Sequence, residues 1–490
     1  MTPQRRTKIV ATIGPACREP EILVRLIEAG MDVARLNFSH GSHEEHQETA
    51  DRVREAANRA GRPVAILQDL PGPKLRIGAV RDGSVVLPAR SEVTVVCGPV
   101  EGKVGDESVL YMDWAGLVGA IEVGESMYLA DGRVRLRATA VREAEGEIDT
   151  VVEVGGAVAS RQGLNIPGPA DALPAVPEED LAHLRAGIAI GVDMVALSFV
   201  RRPEDVTFVR EHTRVPLIAK IEKPQAVARA EDILRVSDSV MVARGDLGIE
   251  LPIEEVPMVQ KRLLALAGAL ARPSITATQM LDSMITSPRP TRAEVADVAN
   301  AILDGTDAIM LSQETAVGAY PVLAVEMMAS IALHTERHAP YAEWNEKRVH
   351  RGASDPSYTV AHSACQAASD LQLDAIVVPT LSGRSARLVS AHRPDVPIYA
   401  LSPGRETVRR CGLMWGVRAA SMARYEITEE LIAGAAARVV ELGWCTPGMR
   451  VGITAGLPSG RPGSTSLFQV QVLPVPGDTW PARRAVRPDL

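Results

Sequence analysis

The sequence predicts an α/β protein: a (β/α)8 TIM barrel with an inserted all-β lid domain and a smaller C-terminal α/β domain. Three observations carry this prediction. Eight short apolar runs alternate strictly with eight helical patterns over residues 7–70 and 171–338. Residues 73–170 interrupt the alternation with a two-residue period punctuated by Asp-Gly and Glu-Gly pairs. A second series of strands and helices then fills 353–474.

The barrel strands are expected at 7–13, 32–37, 63–69, 193–199, 216–221, 238–243, 274–278 and 307–312. Each is a short, continuous apolar run, as a strand buried on both faces requires. The helices are expected at 19–29, 42–60, 177–190, 203–212, 224–235, 254–271, 291–304 and 320–336. Pro, Ser or Thr open them, and Gly30, Gly61 and Gly305 follow helix ends. Segments such as SVVLPARSEVTVVCG and ESMYLADGRVRLRATAV read as strands of the insertion, whose edges PGP (71–73) and IPGPA (166–170) suit hinges. Third-domain strands are expected near 374–379, 397–401, 417–420, 449–455 and 468–473. The expected domains are 1–72 with 171–339 (barrel), 73–170 (lid), 340–475 (C-terminal) and 476–490, a loose Pro- and Arg-rich tail.

At 490 residues, with 46% hydrophobic and 23% charged residues, the composition is that of a multidomain soluble protein. The net charge of −8 argues against non-specific nucleic-acid binding, so any phosphate site must be a local positive pocket. Cys17, Cys97, Cys365, Cys411 and Cys445 form no Cys-x-x-Cys pair, which with the absence of a signal-peptide pattern points to reduced thiols and a cytoplasmic location. No run of 18 apolar residues suggests a membrane span.

In such a barrel the chemistry gathers at the C-terminal ends of the strands. Polar groups do fall there. The second strand delivers Arg35, Asn37, Ser39 and His40; the third Asp69, Lys74 and Arg76; the fifth Lys220 and Glu222. The sixth delivers Arg244, Gly245 and Asp246, the seventh Thr276, Thr278 and Gln279, the eighth Ser312 and Glu314. Glu222 and Asp246 are hard oxygen ligands suited to Mg²⁺ or Mn²⁺; the alternative is a structural ion pair with Lys220 or Arg244. Lys220 can face charge developing on a phosphoryl group or an enolate, or simply pair with Glu222. Arg35 can fork onto phosphate or close a strand-end salt bridge. Gly245 permits close approach of a substrate or marks a plain turn. His40, His43 and His46 do not form a convincing metal set, and His43 and His46 are expected on the solvated face of the following helix.

The segments TKIVATIGPA, AGMDVARLNFSHG, AKIEK, VMVARGDLGIELP, the long run 276–321 and SGRSAR together resemble the pyruvate kinase family over residues 6–474. The resemblance implies phosphoryl transfer from phosphoenolpyruvate to ADP, giving pyruvate and ATP. It implies Glu222 and Asp246 as divalent-metal ligands, Lys220 on the transferring phosphoryl group and enolate, and Arg35 on phosphate. It further implies Gly245, Asp246 and Thr278 at the substrate carboxylate, with Thr278 also protonating enolpyruvate through water. Asn37, His40 and Arg76 match nucleotide-side positions. Where the family often carries Lys before Gly163, Gln162 stands here, and Arg161 is expected to take over that contact.

A further departure bears on cations, and a further match on regulation. Members that need K⁺ carry Thr after the aspartate matching Asp69 and Glu at the position of Lys74. Leu70 offers no hydroxyl, and Lys74 offers a fixed charge where K⁺ would sit, so K⁺ is expected to be dispensable, with Asn37, Ser39 and Asp69 left as polar lining. The alternative is a solvated lid lysine. Thr380, Ser382, Gly383, Arg384 and Ser385 open a helix after a strand and match the loop that holds an effector's phosphate; composition alone would suggest a plain helix cap. The loop Gly456 to Gly463 faces it. A sugar monophosphate or AMP is favoured as the effector, and a homotetramer as the assembly. A metal-dependent barrel lyase or aldolase acting on pyruvate-type substrates, and a non-catalytic metabolite sensor, are the competing readings. No account is found for Gln313.

Overall fold

A computed structural model describes residues 5–73, 75–130, 132–166, 174–341, 344, 355–456 and 465–474. Lys74, the loop beyond Gly456 up to Gly463, and the tail 476–490 lie outside the described residues.

Eight parallel strands close a barrel: β1 (Lys8–Thr12), β2 (Val33–Asn37), β3 (Ala65–Asp69), β4 (Met194–Leu197), β5 (Leu217–Ile221), β6 (Ser239–Ala243), β7 (Ser274–Ala277) and β8 (Ala308–Leu311). Each pairs with the next in sequence, and β8 pairs with β1. Val10, Leu67, Ala196, Ile218, Met241, Ile275 and Met310 fill the interior, and Leu413 of the C-terminal domain packs against the same cluster. The expected helices form, with one difference. The helix expected at 224–235 is two, Pro224–Ala228 and Ala230–Val236, hinged at Arg229.

Local chemistry explains the helix starts. Ser42 and Glu45, like Thr291 and Glu294, form reciprocal capping boxes. The helix Glu178–Ile190 starts after Pro177, carries three acidic residues in its first turn and stops at Gly191 in the left-handed conformation.

The base of the barrel repeats one device four times. Asp32, Asp193, Asp238 and Asp307 stand just before β2, β4, β6 and β8. Each carboxylate accepts a backbone N–H from the first or second residue of the preceding strand: Ile9 at 2.9 Å, Ile66 at 2.8 Å, Leu217 at 2.9 Å and Ser274 at 2.9 Å. Each also meets an arginine: Arg5, Arg54, Arg210 and Arg393, respectively. Neighbouring strands are thus pinned in pairs at the end away from the strand mouths.

The insertion carries a six-stranded sheet and two short strand pairs around its own apolar core of Leu87, Val95, Leu110, Leu129, Leu136 and Ile148. The C-terminal domain is a five-stranded sheet in the order Val417–Ser421, Ile398–Ser402, Ala375–Pro379, Arg450–Gly456, Thr465–Val472, the last strand antiparallel. Separate apolar clusters cover its two faces.

Candidate active site

Lys220 occupies the centre of the strand mouths. Its Nζ lies 3.2 Å from Asp69 Oδ1 and 3.0 Å from Glu222 Oε1, and donates to Ser198 Oγ at 2.6 Å. Arg35 Nε donates to Asp69 Oδ2 at 2.7 Å and its Nη1 to Thr12 Oγ1 at 2.9 Å. The strand-end salt bridge left open for Arg35 is therefore present. Glu222 is fully buried, and its Oε2 accepts from Phe199 N–H at 2.6 Å. Phe199 holds φ at 53°, a strained value for a bulky residue beside a site.

Once Asp246 is counted, three carboxyls face two cations, Lys220 and Arg35, in this cluster. Burial alone would raise the Asp69 carboxyl, but Lys220 and Arg35 hold it below the usual range. Burial pushes Glu222 upward; Lys220 opposes this and Asp246 adds to it. Lys220 stays protonated despite burial, with Asp69 its leading stabiliser and Glu222 second. Asp69, held by both Lys220 and Arg35, is the better compensated carboxylate, while Glu222 shares Lys220 with it and also faces Asp246. Glu222 then needs a further cation. Its buried Oε1, like Oδ1 of Asp69, meets only the Lys220 ammonium among the described residues.

Asp246 is half-buried in the first turn of the helix Arg244–Glu250, close enough to act on both Glu222 and Lys220. No group of three or more His, Cys, Asp or Glu suited to a metal occurs among the described residues. Glu222 and Asp246 thus fit a hard divalent ion that takes its remaining ligands from substrate and water.

Thr278 and Gln279 follow β7 with φ of 71° and 53°. Positive φ is costly for a β-branched residue, so the surroundings must hold Thr278 there. Its Oγ1 accepts from Gly245 N–H at 2.7 Å and donates to Ala277 O at 2.6 Å, while Arg244 donates to Thr278 O at 2.8 Å and pairs with Asp297 at 2.7 Å. A Cβ on Gly245 would stand 3.3 Å from Thr278 Oγ1, so only glycine leaves this contact unforced.

The nucleotide-side candidates divide. Asn37 lies at the end of β2, accepting from Ser39 N–H at 3.2 Å, and His40 is exposed in the turn beyond. Arg76 is not at a strand end of the barrel. It belongs to the insertion, bridged to Gly163, and donates to Arg161 O at 3.2 Å, with Arg161 in the left-handed region. Lys223 ties this module to the barrel through Glu250 and Ile166 O.

Other residues sit differently from expectation. His46 is buried and stacked on Phe38 at 3.9 Å, and His43 Nε2 meets His183 Nδ1 at 2.8 Å, so neither is merely solvated. Ser198 and Thr12, at the ends of β4 and β1, were not foreseen; the only signal was a hydroxyl directly after an apolar run. At the effector-loop candidate, Gly383 N–H donates to Thr380 Oγ1 at 3.0 Å, Arg384 pairs with Asp355, Ser385 meets Thr465, and Ser382 is exposed.

A protonated lysine, an arginine and cation-seeking carboxylates at the mouth of a parallel barrel define an enzyme that handles phosphoryl groups, a phosphotransferase. Comparison with known proteins narrows this. The family model for the pyruvate kinase barrel domain matches residues 4–325, and that for the pyruvate kinase alpha/beta domain matches residues 358–471. The chain is 44% identical over 476 residues to a pyruvate kinase of Geobacillus stearothermophilus, covering 96% of this chain and 81% of that protein. It is 42% identical over 474 residues to a pyruvate kinase of Staphylococcus aureus strain MRSA252, covering 96% and 80%. The chain belongs to the pyruvate kinase family, whose members use a divalent metal. No helix among the described residues is long and apolar enough to cross a membrane.

Proposed function

We propose that this enzyme transfers the phosphoryl group of phosphoenolpyruvate to ADP, giving pyruvate and ATP, with Mg²⁺ as its metal. The observation that carries the reading is Lys220 held between Asp69, Glu222 and Ser198. When bound, the metal supplies charge neutralisation on the phosphoryl oxygens, with Glu222 and Asp246 as its protein ligands. Lys220 places a fixed positive charge where the phosphoryl group leaves the enol oxygen and the enolate develops. Arg35 orients the phosphate, and the Gly245–Thr278 pair seats the carboxylate. The bond from phosphorus to the enol oxygen breaks as the bond to the ADP oxygen forms. The enolate then takes a proton at carbon, delivered from the Thr278 side through water. The insertion, with Arg76 and Arg161 and joined to the barrel near Gly72 and Ile166, acts as a lid that excludes bulk water.

Leu70 and Lys74 support independence from K⁺. The loop of Thr380, Ser382, Gly383, Arg384 and Ser385 is read as the seat of an activating phosphorylated metabolite, a sugar monophosphate or AMP. The domain boundaries given above, a homotetramer and a cytoplasmic location complete the reading. The test is pyruvate formation from phosphoenolpyruvate and ADP with Mg²⁺ in K⁺-free buffer, then with K⁺ added. Full activity without K⁺ supports both the reaction and Lys74; activity only with K⁺ keeps the reaction and removes the lysine argument. No activity in either buffer overturns the reading.

A further inference from the structure

We infer that Arg409 is a positioning residue for Lys220, and that through Thr407 it connects the loop 380–385 to the strand mouths. The regulatory half of this inference rests on reading that loop as an effector site.

The argument starts at Asp193, which is 1% exposed. Its Oδ2 accepts from Ile66 N–H at 2.8 Å and from Arg54 at 2.7 Å; its own N–H donates to Ile66 O at 2.9 Å. Asp193 therefore fastens the base of β3 to the base of β4. Their other ends carry Asp69 and Ser198, two of the three groups that hold the Lys220 ammonium. The strands are short, buried and paired in parallel through Met194–Leu67, Val195–Gln68 and Ala196–Asp69. A change of spacing at the base has only about 16 Å of stiff strand to cross.

The remaining oxygen of Asp193, Oδ1, is held by a residue from outside the barrel. Arg409 Nε, in the C-terminal-domain helix Arg405–Arg410, lies 2.7 Å from it. Two residues earlier, Thr407 Oγ1 donates to Leu381 O at 2.8 Å. Gly383 lies against the same helix and the turn after it: a Cβ there would stand 3.7 Å from Thr407 and 3.2 Å from Met414. A ligand that moves the loop moves Thr407 directly, and Arg409 lies half a helical turn further on. Asp32 and Asp238 are gripped by arginines of the barrel itself. Arg393 reaches Asp307 from the C-terminal domain, but under β7 and β8. Only Asp193, among the four base aspartates, joins the two strands that hold Lys220's partners.

Removing Arg409 leaves Asp193 paired with Arg54, so the fold is expected to survive. The test uses the full chain as wild type, Arg409→Met, Arg409→Lys, Thr407→Val and the Arg409→Met/Thr407→Val double variant. Thermal midpoint, kcat and the KM values for phosphoenolpyruvate and ADP are measured, with AMP, glucose 6-phosphate and ribose 5-phosphate as probes. Arg409→Met is expected to lower kcat about tenfold, with midpoint and ADP KM near wild type, and Arg409→Lys to recover most of it. Thr407→Val is expected to lower kcat roughly twofold alone and not at all in the Arg409→Met background. A probe that activates wild type should still bind Arg409→Met by calorimetry without activating it.

Wild-type kcat in folded Arg409→Met overturns the positioning role, as does a loss of midpoint that tracks the loss of activity without rescue by lysine. Additive effects of Thr407→Val and Arg409→Met overturn the connection to the loop. If no probe binds wild type, the effector reading falls, while the kcat measurements still decide the role of Arg409.

Discussion

Glu222 Oε1 lies 3.0 Å from Lys220 Nζ, yet Lys220 finds its firmer anion in Asp69, which Arg35 also holds. One buried carboxylate is thus only partly compensated, where the proposed metal would bind. This imbalance leads to the first prediction.

On the proposed reaction, Lys220→Met should lower kcat by about 10²–10³, since it removes the fixed charge assigned to the leaving enolate. It should also give stability a new pH dependence. Without the ammonium, both carboxyls rise above their unfolded values, and such groups lose stability as pH climbs. Unfolding followed between pH 5 and pH 8 should show a deficit that widens with pH. A deficit equal at both ends would mean that Lys220 does not set the ionisation of its neighbours.

On the proposed reaction, Thr278→Ala should reduce kcat roughly 10- to 100-fold with little change in the phosphoenolpyruvate KM, because it removes the hydroxyl assigned to proton delivery. Thr278→Ser should recover most of the activity. Exchange of pyruvate methyl protons into deuterated water should fall with kcat in the alanine variant. Unchanged exchange would move the proton donor elsewhere.

On the proposed independence from K⁺, Lys74→Glu should create a requirement for K⁺, because it replaces an ammonium with a carboxylate. Activity titrated against K⁺ at constant ionic strength measures this. A variant as active and as indifferent to K⁺ as wild type would end the argument.

Asp180 accepts Gly72 N–H at 2.9 Å under the edge of the lid, and burial raises its carboxyl to about 7. The sign follows directly. The folded state holds a proton that the unfolded state releases near pH 4, so stability falls as pH rises from about 4 to about 7. Asp180→Asn keeps an acceptor for Gly72 and removes the titration. Its advantage over wild type should be absent at pH 4 and reach on the order of 1–3 kcal/mol at pH 8, read by thermal unfolding.

Most of the barrel was legible because a strand buried on both faces must be a short apolar run. A charged residue that ends such a run, as Lys220 or Asp69 does, stands out against it and falls where a barrel does its chemistry. A hydroxyl in that place does not stand out, since serine and threonine also end strands as turn and cap residues; Ser198 and Thr12 passed unread for that reason. His46 was misread although the pattern held the answer. Ala50, Val53 and Ala57 mark the buried stripe of its helix, and one turn back along that stripe is His46. The base aspartates repeat as Gly or Ser, one or no intervening residue, then Asp before every second strand. That signal is short enough to pass for four ordinary turns. What the sequence could not give was partner choice: that Arg409, more than 200 positions away, reaches Asp193 is decided by the packing of one domain on another.

The staple between Ile66 and Asp193 has a consequence for how this molecule can vary. At the opposite end of the same strands, Leu70 N–H bonds Ala196 O at 3.0 Å and Ser198 Oγ bonds Leu70 O at 2.7 Å. The polypeptide departs and returns between two seams that are closed above and below. Closure entropy grows only as the logarithm of the excursion, so the number of residues sent outward there weighs little on the barrel. A whole module can be lengthened, exchanged or grafted at that doorway while the wall around it keeps its register.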